Sequence, residues 1–314
     1  MSTISRSVYT ALFVTVICFI PWTTWSQESI DSILKPYLSK YELPAIAAAV
    51  AKGGKVIAAG AVGTRRMGEE TAVTINDRFH IGSNTKAMTA LLAAVMVEEG
   101  RLRWTSTMAE VFPELAAEMN PRLRPVTVEQ LLSHTSGIPT DNEDIFRAYG
   151  EAMRQEGNLN ELRYWLLRQW SKKPLQYDPG ATFTYSNMGY TIVGALIERV
   201  SGKTWDELIT GRIFIPLNMK TAGLGPQASL GKIDAPLGHA VIDGKVKAFL
   251  AGPNGDVPLL IGPAGIVHMS ILDFALWAGW NASAALPRWI EQHEPRPYLA
   301  RHKTRFCNGD HYQH

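Results

Sequence analysis

A serine and a lysine lie three residues apart at the start of a long apolar segment. Ser83 and Lys86 come just before residues 87–97, in which Thr89 is the one polar side chain. On a helix, side chains three positions apart share a face, so the hydroxyl and the amine can come within hydrogen-bond distance. A serine hydroxyl becomes an effective nucleophile when a base takes its proton. The spacing therefore suggests a nucleophile beside its own base.

A lysine can act as a base only in its neutral form. Lowering its pKa from about 10.4 to about 7–8 requires about 3.5–5 kcal/mol of discrimination against the charged form. Burial against the apolar segment that follows Lys86 provides such an environment. The S-x-x-K pattern has only two defined residues, however, and a surface serine and lysine one helical turn apart also fit it.

Two further stretches strengthen the catalytic interpretation. Residues 185–187 read Tyr-Ser-Asn and place a phenol and an amide in a loop before a buried helix, and residues 131–139 read LLSHTSGIP. Together with F-x-I-G-S-x-x-K at residues 79–86, they resemble the serine β-lactamase and penicillin-binding-protein superfamily, from about residue 30 to residue 282. The loop that begins with tyrosine is most similar to class C β-lactamases, family VIII carboxylesterases and related DD-peptidases.

The resemblance implies a role for each motif residue. Ser83 would attack a carbonyl and become the acyl-enzyme, and Lys86 would take the serine proton. Tyr185 would pass that proton to the leaving group and later activate the deacylating water, while Asn187 would orient the lysine and the substrate. The backbone N–H of Ser83 would be one oxyanion donor, helped by the positive N-terminus of its helix.

The family completes its site with a third element, K-T-G or H-x-G, on a C-terminal strand of the main sheet. Residues 303–305 read K-T-R, with arginine in place of glycine; residues 238–240 come too early, and residues 201–204 lie on the wrong side of a helix. We therefore expect this element and its strands to be missing, and residues 286–314 to form an irregular tail that results from truncation or a shifted reading frame. Losing one oxyanion donor typically costs about 10²- to 10³-fold in rate.

The elements around these motifs predict an α/β fold. Two β-type runs, residues 45–51 and 55–64, are joined by Lys52-Gly53-Gly54, which is a good hairpin signal. Helices dominate from about residue 101 to 220, and very little strand is expected after them. The predicted architecture is an incomplete antiparallel sheet flanked by helices, with an inserted, mostly helical lobe and a site between the lobes. Local signals predict helix starts after Thr127, Thr204 and Ser270 and a helix end at Gly202.

The first 26 residues differ from the rest of the chain. Arg6 is their one charged residue, an apolar run follows it, and Thr24 and Ser26 offer small side chains to a signal peptidase. This pattern predicts a secretory signal peptide over residues 1–26, with an uncleaved N-terminal anchor as the alternative. Its removal leaves Cys307 without a cysteine partner, so no intramolecular disulfide is expected. We expect a periplasmic or secreted hydrolase domain over residues 27–285, with no stable membrane span.

Composition narrows the choice of partner. The chain has 314 residues, of which 46% are hydrophobic and 19% charged, and its net charge is +2. This charge gives no argument for a nucleic-acid partner, so a small-molecule or peptidoglycan-type substrate is expected. No cofactor or metal is predicted, because no His, Cys and Asp cluster has zinc spacing and Gly202-Lys203-Thr204 lacks the earlier glycine of a phosphate loop. His134 is expected to pack or cap its turn, or to shape the pocket. The oligomeric state is not readable from the sequence.

Two functional hypotheses stay open. The first is a serine hydrolase that forms an acyl-enzyme on a β-lactam, an ester or a D-amino-acid peptide, three substrates that the motif residues do not separate. The second is a non-catalytic protein, either a β-lactam or peptidoglycan binder or an inactive truncated family member, as the missing third element indicates.

Overall fold

The computed structural model of the chain describes residues 27–249 and 257–282. The helices are α1 (Asp31–Lys40), α2 (Thr85–Glu98), α3 (Met108–Val111), α4 (Val128–Leu132), α5 (Glu143–Ala152), α6 (Leu159–Trp170), α7 (Asn187–Ser201), α8 (Trp205–Ile209), α9 (Gly262–Gly265) and α10 (Ile271–Ala282). The strands are β1 (Glu28–Ser29), β2 (Ala45–Lys52), β3 (Lys55–Gly63), β4 (Arg78–His80), β5 (Gly223–Leu224), β6 (Gly238–Ile242), β7 (Lys245–Phe249) and β8 (Val267–Ser270). The predicted signal peptide, residues 1–26, and the predicted tail, residues 286–314, lie outside the described residues.

The predicted N-terminal hairpin is confirmed. β2 and β3 pair antiparallel, and Gly53 and Gly54 form the turn with φ of +57° and +74°. Glycine adopts this left-handed conformation without a steric penalty, which is why a Gly-Gly pair suits a two-residue hairpin turn. β1 pairs with the other edge of β3 in parallel, and α10 packs against both long strands. In the described part of the chain, β2 has no partner besides β3.

A second small sheet leads into the S-x-x-K segment. β8 lies between β4 and β5 and pairs antiparallel with both, and all four of its residues are buried. Beyond the end of β4, the N–H of Ile81 donates to the carbonyl of Val267 at 2.9 Å. The chain then forms a 3₁₀ turn, Gly82–Asn84, and continues into α2. The sheet therefore determines where α2 begins.

The expectation of very little strand after the helical region is wrong. β6 and β7 form an antiparallel hairpin joined by Asp243-Gly244, both with positive φ (53° and 71°). Asp-Gly between two strands is a strong hairpin signal. These strands gave no clear signal in the sequence because their residues are exposed or half-buried and the strands are not continuously apolar.

The predicted α/β class and the helical lobe are confirmed. Helices α3 to α8 lie within residues 101–220, where the described backbone has no strand and one isolated bridge, between Thr107 and Thr127. The capping boxes at Thr127 and Thr204 are present, and Gly202 ends α7 in the left-handed conformation. At the start of α10 the box is only half formed. Ser270 Oγ accepts from the N–H of Asp273 at 3.3 Å, whereas the Asp273 carboxylate accepts from Thr221.

The central helix of the fold is α2. Its residues Met88, Leu92 and Ala93 are fully buried, and it packs against α7, α8 and α9. A helix that is apolar on all sides is typical of a protein core. Lys86, in its first turn, is therefore only 6% exposed. Within residues 27–249 and 257–282, no helix has both the length and the apolar character needed to cross a bilayer.

Candidate active site

The structure brings the four predicted site residues together. Lys86 Nζ donates to Ser83 Oγ at 3.1 Å and to Asn187 Oδ1 at 2.7 Å. The hydroxyl of Tyr185 lies 2.5 Å from Ser83 Oγ. The serine and lysine come from the start of α2, and the tyrosine and asparagine come from the start of α7, which packs against α2. The serine hydroxyl thus lies between an amine and a phenol.

The turn before α2 exposes the serine and buries the lysine. Gly82 has a φ of +53°, which lets the chain leave β4 and enter the 3₁₀ turn. Thr85 Oγ1 donates to the carbonyl of Gly82 at 2.7 Å and accepts from the N–H of Val267 at 3.2 Å, so the turn is attached to β8. As a result, Ser83 is exposed, as a nucleophile must be, while Lys86 points into the core.

Lys86 lies in an environment that disfavours its charge. Burial lowers the pKa of Lys86 to about 8, and the negative charge of Asp141 opposes this shift. A third acceptor, the carbonyl of Ala264, lies 2.7 Å from Nζ. A neutral amine has two N–H groups, which match Asn187 Oδ1 and the Ala264 carbonyl, and its lone pair then faces the hydroxyl of Ser83. The site can therefore hold the lysine as a base.

Asp141 was missed in the sequence analysis. Its Oδ2 accepts a 2.7 Å hydrogen bond from Asn187 Nδ2, across 46 residues of sequence. Asp141 follows the LLSHTSGIP stretch by two residues, but no spacing rule connects it to the Tyr-Ser-Asn loop. The sequence signal that could have pointed to Asp141 is its position, two residues after the LLSHTSGIP stretch.

The carbonyl of Ala264 was also missed, because motifs built from side chains do not reveal backbone groups. The segment that carries this carbonyl, residues 263–264, contacts α2 and α7. Thr89 Oγ1 donates to the carbonyl of Pro263 at 2.7 Å, and a Cβ added at Gly194 would lie 2.3 Å from Pro263 Cγ. Behind the segment, Arg163 is fully buried and donates to the carbonyl of Leu260 at 2.8 Å. The acceptor for Lys86 is therefore part of the packed core.

His134 shapes the loop that carries the tyrosine. Its Nδ1 accepts from the N–H of Ser186 at 3.0 Å, its carbonyl accepts from the N–H of Thr184 at 2.7 Å, and its ring lies 4.6 Å from the Tyr185 ring. Burial, with a smaller effect of the charge on Lys86, lowers the pKa of His134 to about 4. The imidazole is therefore neutral near pH 7 and can accept this hydrogen bond.

The arrangement is suited to nucleophilic chemistry at a serine hydroxyl. A hydroxyl with an adjacent base, and a second polar group that orients the base, are the general requirements for an activated serine. In residues 27–249 and 257–282, no group of three His, Cys, Asp or Glu side chains is placed to hold a metal ion.

Comparison with known proteins decides the family. The Beta-lactamase family model matches residues 30–305. The chain belongs to the β-lactamase family. A curated relative, Protein flp of Staphylococcus aureus (strain MW2), is 30% identical over 200 residues, which are 63% of this chain and 38% of that protein. This member of the β-lactamase family therefore spans less than half the length of that relative.

Solved structures agree with this family and confirm the fold class. The octameric penicillin-binding protein homologue from Pyrococcus abyssi is 28% identical, with a TM-score of 0.62 over 80% of this chain and 55% of that one. The D-amino acid amidase from Ochrobactrum anthropi SV3 is 22% identical, with a TM-score of 0.60 over 80% of this chain and 68% of that one. The second likeness shows the fold alone.

Proposed function

We propose that this member of the β-lactamase family is a serine hydrolase that forms an acyl-enzyme at Ser83. The observation that carries the proposal is the double contact of Ser83 Oγ, with Lys86 Nζ at 3.1 Å and Tyr185 Oη at 2.5 Å. Because the pKa of Lys86 is about 8, about one molecule in ten holds the neutral base at pH 7. A general base is most effective when its pKa lies close to the working pH.

The contacts support a reaction in which every proton transfer has a donor and an acceptor. Neutral Lys86 accepts the hydroxyl proton as Ser83 Oγ attacks the carbonyl carbon and the carbonyl oxygen becomes an oxyanion. Tyr185 donates its proton to the leaving group as the carbonyl bond to that group breaks, and it regains a proton from Lys86, whose Nζ lies 4.7 Å from the tyrosine ring centre. In deacylation, Tyr185 takes a proton from the attacking water while it passes its own proton to neutral Lys86, and Lys86 then gives a proton to Ser83 Oγ as the bond from Oγ to the acyl carbon breaks.

The oxyanion would be stabilised at the start of α2. The backbone N–H of Ser83 lies in the turn that precedes this helix, where the aligned peptide dipoles present a partial positive charge. Asn187 would keep the amine directed at the serine, since its Oδ1 accepts from Lys86 at 2.7 Å.

We propose an ester, an amide or a β-lactam as the substrate class. Support comes from the family match and from the fold shared with the D-amino acid amidase. The test measures hydrolysis of p-nitrophenyl butyrate, nitrocefin and D-alanine p-nitroanilide by the wild type, by Ser83→Ala and by Ser39→Ala, a change of an exposed serine on α1. We expect the wild type and Ser39→Ala to hydrolyse at least one substrate and Ser83→Ala none. Equal turnover by Ser83→Ala would refute the proposal.

A second candidate is a non-catalytic β-lactam or peptidoglycan binder. It is favoured by one sequence observation: no K-T-G or H-x-G follows the Tyr-Ser-Asn loop, so a second oxyanion donor has no assigned residue. A fluorescent penicillin distinguishes the two. A stable adduct on Ser83 without product release indicates a binder, release of hydrolysed penicillin indicates an enzyme, and no adduct on any serine indicates an inactive chain.

Export to the periplasm or the cell exterior is also a proposal, and it is supported by the charge and hydropathy pattern of residues 1–26. Fractionation of cells that express the chain with a C-terminal tag tests it. We expect a shortened, exported product, and a variant with two lysines in the apolar run should stay in the cytoplasm at full length. Cytoplasmic retention of the unaltered chain would contradict the proposal.

A further inference from the structure

Building on the proposed serine-hydrolase function, we propose that Asp141 is a positioning residue that orients the Asn187 amide and stabilises the positive charge that develops on Lys86. Asp141 lies outside the three motifs and reaches the lysine through one intervening side chain.

The first argument concerns the orientation of the amide. Asn187 donates from Nδ2 to Asp141 Oδ2 at 2.7 Å and accepts at Oδ1 from Lys86 Nζ at 2.7 Å. A carboxylate only accepts hydrogen bonds, whereas an amide has a donor end and an acceptor end. Asp141 therefore selects the rotamer of Asn187 that presents an oxygen to the amine. The reversed amide would direct N–H groups at the N–H groups of Lys86.

The second argument concerns charge. Oδ1 of Asp141 is a buried carboxylate oxygen. Tyr149 lies near this carboxylate, and burial together with the Asp141 charge raises the pKa of its phenol, so it stays neutral. The negative charge of this carboxylate therefore acts on Lys86, where it raises the pKa of the amine against the effect of burial.

Among the residues that the structure describes, the other groups that contact Lys86 supply no negative charge. The rings of Tyr185 and Tyr190 lie 4.7 and 5.5 Å from Nζ, and Ser83 and the Ala264 carbonyl are neutral acceptors. His134 is also neutral near pH 7, since burial lowers its pKa to about 4. Asp141 is therefore the negative group that responds when Lys86 takes the serine proton. Preorganised charge of this kind lowers the barrier because it needs no rearrangement during the reaction.

The first test reads the protonation of Lys86 directly and does not require turnover. The full chain is labelled with ¹³Cε-lysine, and the signal of Lys86 is assigned with a Lys86→Met variant. We expect Asp141→Asn to move the titration midpoint of this signal to lower pH by about one unit, as expected for loss of a nearby opposite charge. Asp141→Glu, which keeps the charge, should restore most of the wild-type midpoint.

Asp144→Asn is the matched control. Asp144 lies three residues further along the chain, its side chain is 64% exposed, and it pairs with Arg147 at 3.2 Å. We expect the wild-type midpoint in this variant. An unchanged midpoint in Asp141→Asn, or an equal shift in Asp144→Asn, would overturn the inference.

The second test separates positioning from simple loss of structure. In the pH profile of kcat/KM, Asp141→Asn should move the acidic limb to lower pH and reduce the plateau by about tenfold or more. A reduced plateau with an unmoved limb would mean a structural role and would refute the inference. If the wild type hydrolyses no substrate and the lysine signal still shifts in Asp141→Asn, the proposed function fails and the control of Lys86 by Asp141 stands.

Discussion

The hydroxyl of Tyr185 lies 2.5 Å from Ser83 Oγ, although 102 residues separate them in the sequence. The contact depends on two helix starts that pack against each other. Ser83 lies in the 3₁₀ turn before α2, and Tyr185 lies two residues before Asn187, the first residue of α7. Since α2 and α7 are in contact, the packing of two helices joins the serine–lysine pair to the phenol.

Removing the phenol oxygen should reduce catalysis without unfolding the protein. Tyr185→Phe keeps the ring beside His134 and Lys86 and loses only the hydroxyl at Ser83. We expect kcat/KM to fall by about 10²- to 10⁴-fold, as for loss of a general acid or base. Steady-state kinetics on the best substrate measures the effect.

Tyr177→Phe is the control for this change. Tyr177 is 40% exposed, and its hydroxyl accepts a hydrogen bond from Gln176 Nε2. Its kcat/KM should equal that of the wild type. A similar loss in both tyrosine variants would show that Tyr185 has no special role.

Lys86 should make the stability of the protein depend on pH. Its pKa is about 8 in the folded protein and about 10.4 in the unfolded chain, so between these values the unfolded chain binds more protons. Below about pH 8 both states are protonated, and the burial of charge destabilises the fold. The free energy of unfolding should therefore rise by about 2 kcal/mol from pH 7.5 to pH 9.5.

Urea unfolding at these two pH values checks this expectation, with Lys86→Met as the comparison. The higher pH of the measurement is kept below 10 because of Tyr149. Burial raises the pKa of its phenol, so the folded state loses stability at any pH at which this tyrosine ionises in the unfolded chain. Lys86→Met should show little change between the two pH values. The same rise in both proteins would assign it to other groups.

The sequence predicted the local elements well, because their signals lie within a few residues. The Gly53-Gly54 turn, the Thr127 and Thr204 caps and the Gly202 helix end are all present. The S-x-x-K spacing also predicted that the amine and hydroxyl share a helix face, since one helical turn fixes that distance.

The groups that complete the site could not be predicted in the same way. Asp141 reaches Asn187 across 46 residues, and the Ala264 carbonyl reaches Lys86 across 178 residues. Such contacts depend on how helices pack, and a single sequence contains no periodicity that encodes them. The carbonyl is a further difficulty, because every residue has one and only the fold selects which is used.

His134 should position the tyrosine loop through its neutral imidazole. His134→Phe keeps an aromatic ring and leaves the N–H of Ser186 without its acceptor. We expect the free energy of unfolding to fall by about 1–3 kcal/mol and kcat/KM to fall with it. His134→Asn should be less harmful, because asparagine tolerates the positive φ of 59° at this position and offers an acceptor. Full activity and stability in His134→Phe would contradict this role.

A methyl group at Gly194 should displace the segment that carries the Ala264 carbonyl. The added Cβ would lie 2.3 Å from Pro263 Cγ, which is far closer than van der Waals contact. We expect Gly194→Ala to lower the free energy of unfolding by about 1–3 kcal/mol and to reduce kcat/KM.

Gly211→Ala is the matched control, because a Cβ there meets no described atom within 4 Å. Chemical unfolding and kinetics should give it wild-type values. If Gly194→Ala keeps the wild-type free energy of unfolding and the wild-type kcat/KM, the segment that carries the Ala264 carbonyl accommodates the methyl group and the prediction is wrong.

The central claim is that neutral Lys86 activates Ser83. The most direct measurement is the rate at which a fluorophosphonate modifies Ser83, followed by intact-protein mass spectrometry as a function of pH. The account predicts a rate that rises with pH up to the lysine pKa of about 8 and is constant above it, and a rate at least about 100-fold lower in Lys86→Met. A wild-type rate without an inflection near this pH, or a Lys86→Met variant that reacts as fast, would contradict it.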